Sequence, residues 1–372
     1  MMRKIISITA ILSFMIAYSQ TGKKQSDVQR YQLKGKVKSI KTVDSFGEAE
    51  KEQSVSIQKF NKEGYLLEIE ANTSKRSKLI YKYNDKGYLT MIEDQYSPEK
   101  FTYTYDSKDN LIEWKWYHSD GNRTASTTYT YNDKGILIEE DGYDLYSNRK
   151  IYRYDNKGNR IEESIYQSDG ILSFKITYKY DDKNNQVEAY KYDSNENIKA
   201  KVIFTYDDKG NQIEKNKYDS NRNLSARVIS KYDDKGNKIE EENEYNISQG
   251  FKERYTFRYD DKDNKIEKNI YNSSGSRVWY CIYKYDDKGN LIEKNECSSD
   301  VNLSSSRETF KYDKKGNKIE ENKYDSNGNI SKKATYKYDK KGNEIEHINY
   351  KKVKDSEKLI TMEIQRREIT YY

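Results

Sequence analysis

Along most of this chain, apolar and polar residues alternate with a period of two. Leu172, Phe174, Ile176, Tyr178 and Tyr180 share one parity, while Ser173, Lys175, Thr177 and Lys179 take the other. Ile198, Ala200, Val202, Phe204 and Tyr206 repeat the pattern, as do Phe251, Tyr255, Phe257 and Tyr259. Such alternation over nine residues predicts a half-buried strand. Each strand runs into a corner, cleanest at Tyr206-Asp207-Asp208-Lys209-Gly210-Asn211, and a second short strand follows from Ile213 to Tyr218.

The corner recurs. Counted from its aromatic, it starts at Phe60, Tyr83, Tyr105, Tyr131, Tyr154, Tyr180, Tyr206, Tyr232, Tyr259, Tyr285, Tyr312 and Tyr338. These are twelve copies, 22 to 27 residues apart and mostly 26, which is the signature of a repeat architecture. The second residue is always Asp or Asn, whose side chain opens a turn by bonding its own backbone. The fifth is Gly in nine copies and Asp109, Asn184 or Asp263 in the others, so one positive-φ requirement is met throughout. A looser turn, Asp219 to Asn223 here and Asp325 to Asn329 later, returns the chain to the next repeat. Ile213 and Tyr218 have opposite parity, so either both faces carry apolar load or a bulge lies between them.

The fold expected is all-β: an elongated antiparallel meander of about twelve 26-residue, two-strand repeats, coiled into a superhelical or shell-like sheet. A single sheet must hide its aromatic face, and right-handed twist supplies the coiling. Residues 20–56 are read as N-terminal cap strands, 57–350 as the repeat array and 351–372 as a C-terminal capping strand, since a repeat array needs atypical ends.

Composition changes the picture in two ways. Only 34% of residues are hydrophobic and 38 are tyrosines, so the expected core is thin and aromatic; mean hydropathy is −1.19. Charged residues make up 35%, with Lys and Asp/Glu interleaved, which excludes a nucleic-acid stripe and a membrane patch. Residues 1–19 are read as a signal peptide: Arg3 and Lys4, an apolar run from Ile5 to Ile16, then Ala17-Tyr18-Ser19 before Gln20. The run is too short to span a bilayer, so the expected location is the periplasm, the cell surface or the extracellular space. Lys-rich strand faces exclude insertion as a transmembrane barrel.

Candidate chemistry is sparse. Trp114 and Trp116 share the parity of Ile112, and Trp279 that of Tyr285; they are packing residues or platforms for a ligand such as a sugar ring. Cys281 and Cys297 flank one corner, about one pair out of line. They form a disulfide across adjacent strands or are two buried thiols. Asp325-Ser326-Asn327-Gly328-Asn329 begins like a calcium loop, but Tyr336 stands where the bidentate Glu is required, so no metal site is assigned. A Glu follows the Ile position in eleven copies, Glu214 and Glu240 among them, and predicts a charge ladder on the solvated face. His118 and His347 are far apart and assemble no catalytic set. No cofactor is expected.

The Tyr-x-Tyr-Asp-x-x-Gly frame, with Phe204 and Thr205 leading into Tyr206-Asp207, resembles the YD repeat of bacterial RHS-type proteins over roughly residues 57–350. The lead-in from Leu33 to Ser39 is similar to that of small exported repeat proteins of Bacteroidetes type. RHS repeats form a coiled shell around a toxic C-terminal domain. This chain has one proline, Pro98, and hence no Asp-Pro-Gly cleavage motif, so the resemblance implies the repeat architecture alone. The functional expectation is a non-enzymatic scaffold or binding protein with a protein or glycan partner on the cell surface. The alternatives are a carbohydrate-binding surface protein and a shell-like accessory of a toxin or secretion system.

Overall fold

A computed structural model describes residues 26–47, 52–72, 76–97, 99–118, 120–143, 148–245, 250–299, 305–353, 356 and 358–372. The signal-peptide segment 1–19 lies outside them, as does Pro98. Among the described residues one short helix, α1 (Asp27–Arg30), precedes 26 strands, from β1 (Val37–Phe46) and β2 (Glu52–Phe60) to β26 (Leu359–Tyr371). Two compact units divide the chain. Unit 1 comprises the described residues of Met1–Thr42, Ser54–Arg149 and Arg367–Tyr372; unit 2 comprises those of Val43–Gln53 and Lys150–Arg366.

The all-β reading and the antiparallel meander hold, but the open, coiled sheet does not. β1 pairs with β2 on one side and with β26 on the other, so the last strand returns to the first. In unit 1 Tyr372 N donates to Lys36 O at 3.0 Å, and the hydroxyls of Ser39 and Thr370 meet at 2.7 Å. In unit 2 Gly47 N donates to Met362 O at 3.0 Å and Gln365 Nε2 to Asp44 Oδ1 at 2.9 Å. The pairing is that of a closed 26-strand antiparallel barrel. The segment read as a cap on an open edge is therefore the seam strand. An unpaired strand edge leaves a row of unused N–H and C=O groups, and closure removes both edges.

The corners explain the register. Asp207 N donates to Asn211 O at 3.0 Å and Gly210 N to Asp207 O at 3.0 Å, with Gly210 at φ +84°. This is a three-residue hairpin loop whose left-handed residue forms a bulge. Asp109, Asn184 and Asp263 adopt φ of 69°, 66° and 65°, so the copies without Gly meet the same requirement. The turn read as looser is built the same way: Asp219 N bonds Asn223 O at 2.9 Å, with Arg222 at φ 66°. The register slips at both ends of β15 (Gln212–Tyr218), at Thr205/Tyr206 and at Lys217/Tyr218. Glu214 to Tyr218 stay in continuous register with the preceding strand, so the extra residues are Ile213 itself and, on the facing strand, Ser225, and no bulge in β15 lies between Ile213 and Tyr218.

The compact hydrophobic cluster belongs to unit 1. Val28, Val37, Ile40, Phe60, Leu66, Tyr81, Leu89, Ile92 and Phe101 form it, and Phe60 and Val37 are each 1% exposed. α1 folds onto this cluster. Ser26 caps it by accepting from Gln29 N, while the Gln29 side chain accepts from Ser26 N. Val28 N donates to Gly64 O at 3.0 Å, and the buried Asp27 accepts from Leu66 N at 2.8 Å and from the Tyr83 hydroxyl at 3.1 Å. A Cβ on Gly64 would lie 2.9 Å from Ser26 Oγ, so the approach of this segment depends on that glycine.

Candidate functional site

Each repeat binds its neighbour through three sets of polar groups. The first is the starting tyrosine. Tyr206 donates its hydroxyl to Gln186 O at 2.9 Å, at the start of the previous hairpin's second strand. The same bond recurs from Tyr180 to Arg160 O, Tyr232 to Gln212 O, Tyr285 to Lys265 O and Tyr338 to Lys318 O, at 2.8 to 3.1 Å. Where the first copy has Phe60, its carbonyl takes the hydroxyl of Tyr372 at 2.6 Å.

The second set lies in the corners. Asp207 Oδ1 accepts from the backbone N–H of Lys209 and Asn211, and Oδ2 from the Asn211 amide. The Asn211 side chain leads the interactions that hold the Asp207 carboxyl below its ordinary range, against partial desolvation. Lys209 then reaches the next corner, donating Nζ to Asp234 O at 2.8 Å; Lys183 to Asp208, Lys235 to Asp261 and Lys262 to Asp287 do the same.

The third set is the charge ladder expected from the Glu after Ile. It consists of triads that join three strands. Lys179 and Lys201 hold Glu188 at 2.9 and 3.0 Å, Lys284 and Arg307 hold Glu293 at 2.9 and 2.9 Å, and Lys311 and Lys333 hold Glu320 at 2.8 and 2.8 Å. The three carboxyls are pulled down to about 2, by the hydrogen bond from Lys179 first at Glu188, from Arg307 at Glu293 and from Lys311 at Glu320.

The opposite, aromatic face carries the residue two before the starting tyrosine: Tyr178, Phe204, Phe257 and Tyr283. Burial raises the hydroxyl pKa of Tyr81 and Tyr103 in unit 1. In unit 2 lysines cross aromatic rings, with Lys191 Nζ 4.2 Å from the Phe174 centroid and Lys215 5.8 Å from that of Phe204.

The three tryptophans do not converge on one site. Trp114 and Trp116 lie in unit 1, opposite Tyr103 and Phe101, and Trp116 stacks on Phe101 with centroids 6.0 Å apart and planes at 9°. Trp116 packs against the hydrophobic cluster, and its Nε1 is buried with no protein acceptor. Trp279 lies in unit 2 between Ile270 and Ser298, with Lys268 Nζ 5.5 Å from its ring. All three are half-buried.

Cys281 and Cys297 are free thiols. Cys281 sits opposite Glu296 and Cys297 opposite Tyr280, in unbroken register, so adjacent pairs put the two side chains on opposite faces. Of the two readings of these residues, the structure has no bond between them. Cys281 is fully buried, and burial pushes its thiol pKa up.

Sequence reasoning missed α1, although Ser26-x-x-Gln29 spells its capping box. It also missed the corner lysines, whose signal is the recurring Lys at the fourth place of the frame. Among the described residues no group of three or more His, Cys, Asp or Glu could hold a metal ion, and no helix is long and apolar enough to cross a membrane. A shallow groove of about 600 Å³ lies between consecutive corners, lined by Asp207, Lys209, Glu214, Arg227, Tyr232 and Asp233 among others, and it is made of the groups already committed to the ladders.

No protein-family model matches the chain, and no curated protein matches its sequence. Among solved structures, the chain aligns with a TcdB2-TccC3 crystal structure at TM-score 0.47 and 12% identity, covering 82% of this chain and 19% of that one. It aligns with the Tc holotoxin pore of Photorhabdus luminescens at 0.35 and 9%, covering 93% and 24%. A porin-like protein from Bacteroides uniformis aligns at 0.25 and 10%, covering 91% and 99%. The chain thus spans about a fifth of the length of the first toxin-complex chain, 19%. The fold rests on the chain's own strand pairings.

Proposed function

We propose that this chain is an exported, non-enzymatic scaffold that presents a repeating sheet surface to a protein or glycan partner in the periplasm, at the cell surface or outside the cell. One observation carries the reading: the polar groups that recur along the array are spent on holding the corners and on joining neighbouring repeats. Tyrosine hydroxyls, corner carboxylates and corner lysines bond backbone, and the Glu residues of the ladder sit in ion pairs. Catalysis needs a group held in reserve beside a base, acid or metal, whereas these groups hold shape. Neither strand face offers the uninterrupted apolar band that lipid contact requires: Lys199 and Lys201 interrupt one, Lys215 and Lys217 the other. A shell-like accessory of a toxin or secretion system is the second reading, favoured by the Tyr-Asp-x-x-Gly corners.

Expression with residues 1–19 intact, followed by cell fractionation, mass spectrometry and a panel of glycoside, ester, phosphoester and peptide substrates, tests the proposal. The expected result is a mature chain starting at Gln20, outside the cytoplasm, without turnover. Retention of the full chain in the cytoplasm overturns export. Turnover abolished by a single substitution overturns the scaffold.

A further inference from the structure

Strands β12 (Leu172–Tyr180), β13 (Gln186–Asp193), β14 (Ile198–Tyr206), β15 and β16 (Leu224–Tyr232) of unit 2 treat their cations unequally. Lys175 pairs with Glu196, Lys179 and Lys201 with Glu188, Lys199 with Asp193, Arg227 with Glu214 and Lys231 with Glu240. Lys191, Lys215 and Lys217 have no carboxylate partner among the described residues. All three are exposed, and register puts all three on the aromatic face: Lys191 opposite Ile176 and Ala200, Lys215 opposite Phe204, Lys217 opposite Val202. The acidic side chains at the margin of this patch are occupied: Asp193, opposite Phe174, by Asn195, Asn197 and Lys199, and Glu163, opposite Ile176, by Arg160 and the Tyr178 hydroxyl. Among the described residues of unit 2, the main contacts of these strands are with their neighbours in the sheet.

The geometry points to an acidic polysaccharide as the occupant of this face. The floor is apolar, built from Ala189, Ala200, Val202 and Phe204, and suits the C–H face of a pyranose ring. These ammonium groups, two of them over the Phe174 and Phe204 rings and none with a carboxylate partner among the described residues, are the complement of ring carboxylates. Lys191 and Lys215 stand two strands apart and, facing Ala200 and Phe204, are offset by four residues along β14, so roughly 17 Å separates them, a spacing that reaches past a single sugar ring. A β-strand peptide has no edge to add to, because the sheet is closed. A nucleic acid calls for a longer cationic track than three lysines.

This inference rests on the scaffold reading and narrows its partner. Polygalacturonate is the probe, titrated against the full chain by fluorescence anisotropy at low and moderate salt. Neutral dextran and random single-stranded DNA are the comparisons. Saturable polygalacturonate binding is expected to weaken with salt and to fall tenfold or more in Lys191→Gln/Lys215→Gln/Lys217→Gln. It should persist in Lys62→Gln/Lys314→Gln/Lys340→Gln, which removes the same charge from exposed turns. Phe204→Ala is expected to weaken binding several-fold at unchanged salt dependence. Circular dichroism checks that the variants fold, and none of the substituted lysine side chains takes part in an ion pair among the described residues. The inference is overturned by no binding, by equal loss in both lysine triples, or by tighter binding of DNA with the same lysine dependence. None of those outcomes touches export or the absence of turnover, so the two proposals fail separately.

Discussion

The tyrosine ladder makes the most direct energetic claim. In Tyr180→Phe/Tyr206→Phe/Tyr232→Phe each ring stays and one hydroxyl is lost, removing bonds of 2.8, 2.9 and 3.1 Å to Arg160, Gln186 and Gln212. A hydrogen bond between part-buried groups is worth about 1 kcal/mol net, and the deserted carbonyl adds to the loss if water cannot reach it. The triple variant should lose about 3 kcal/mol. Additivity will be imperfect, because Tyr180 pairs with Gln186 and Tyr206 with Gln212, so neighbouring bonds share strand ends. With a urea dependence of roughly 3 kcal/mol/M or more for a chain of this size, the unfolding midpoint should fall by up to about 1 M. Equilibrium unfolding followed by far-ultraviolet circular dichroism measures this. Hydrogen exchange on peptides spanning 180–240 should show faster exchange there first, since the loss is local. An unchanged midpoint and unchanged exchange would refute the reasoning and reduce the tyrosine to its ring. Tyr→Leu at the same positions should cost more, since packing goes with the bond.

Other expectations follow from single features. Arg222 and Glu196 hold φ of 66° and 62° where other copies of that turn have Gly170, Gly275 or Gly328. Relief of left-handed strain outweighs the added chain entropy, so Arg222→Gly or Glu196→Gly should stabilise by about 0.5–1 kcal/mol in chemical denaturation. Gly64→Ala should release the α1 segment, seen as proteolysis before residue 36, whereas Gly210→Ala, with nothing within 4 Å of its new Cβ, should cost only the backbone strain of about 1–2 kcal/mol. The pH dependence has a fixed sign. Glu188, Glu293 and Glu320 titrate near 2 in the fold against an ordinary 4.5, so their contribution is intact above about 4.5 and is lost as pH falls toward 2. Melting temperature should drop across that window, and salt should shrink the effect. In the native protein, alkylation should modify Cys297 and spare Cys281, and reduction should not change the number of reactive thiols.

Much of the local structure was legible because it is decided within six residues. The Asx and Gly of Tyr206-Asp207-Asp208-Lys209-Gly210 dictate a turn wherever they occur, and Asp109, Asn184 and Asp263 show that the backbone requirement, not the glycine, is what repeats. The Lys–Glu ladder was readable for the same reason, since alternation fixes which residues meet across strands. Closure was not legible. It depends on how much each bulge twists the sheet, summed over the strands, and a small difference per hairpin decides whether β26 reaches β1. The candidate tryptophans illustrate a second limit: parity put Trp116 on the aromatic face, but only the fold shows that it stacks on Phe101. The lysine patch was hidden because Lys191, Lys215 and Lys217 look like every other strand lysine until their partners are known.

A ring of strictly antiparallel neighbours closes only on an even number of strands. Recombination that adds or removes material must therefore work in pairs, and a period that contains one whole hairpin does so automatically. Because the starting tyrosines and the corner lysines reach only into the neighbouring repeat, excision of a complete unit would let the flanking units take over the same bonds, while a cut of half a unit would leave a strand of the wrong polarity at the seam. Lineages carrying this sheet should thus differ in circumference by steps of two strands.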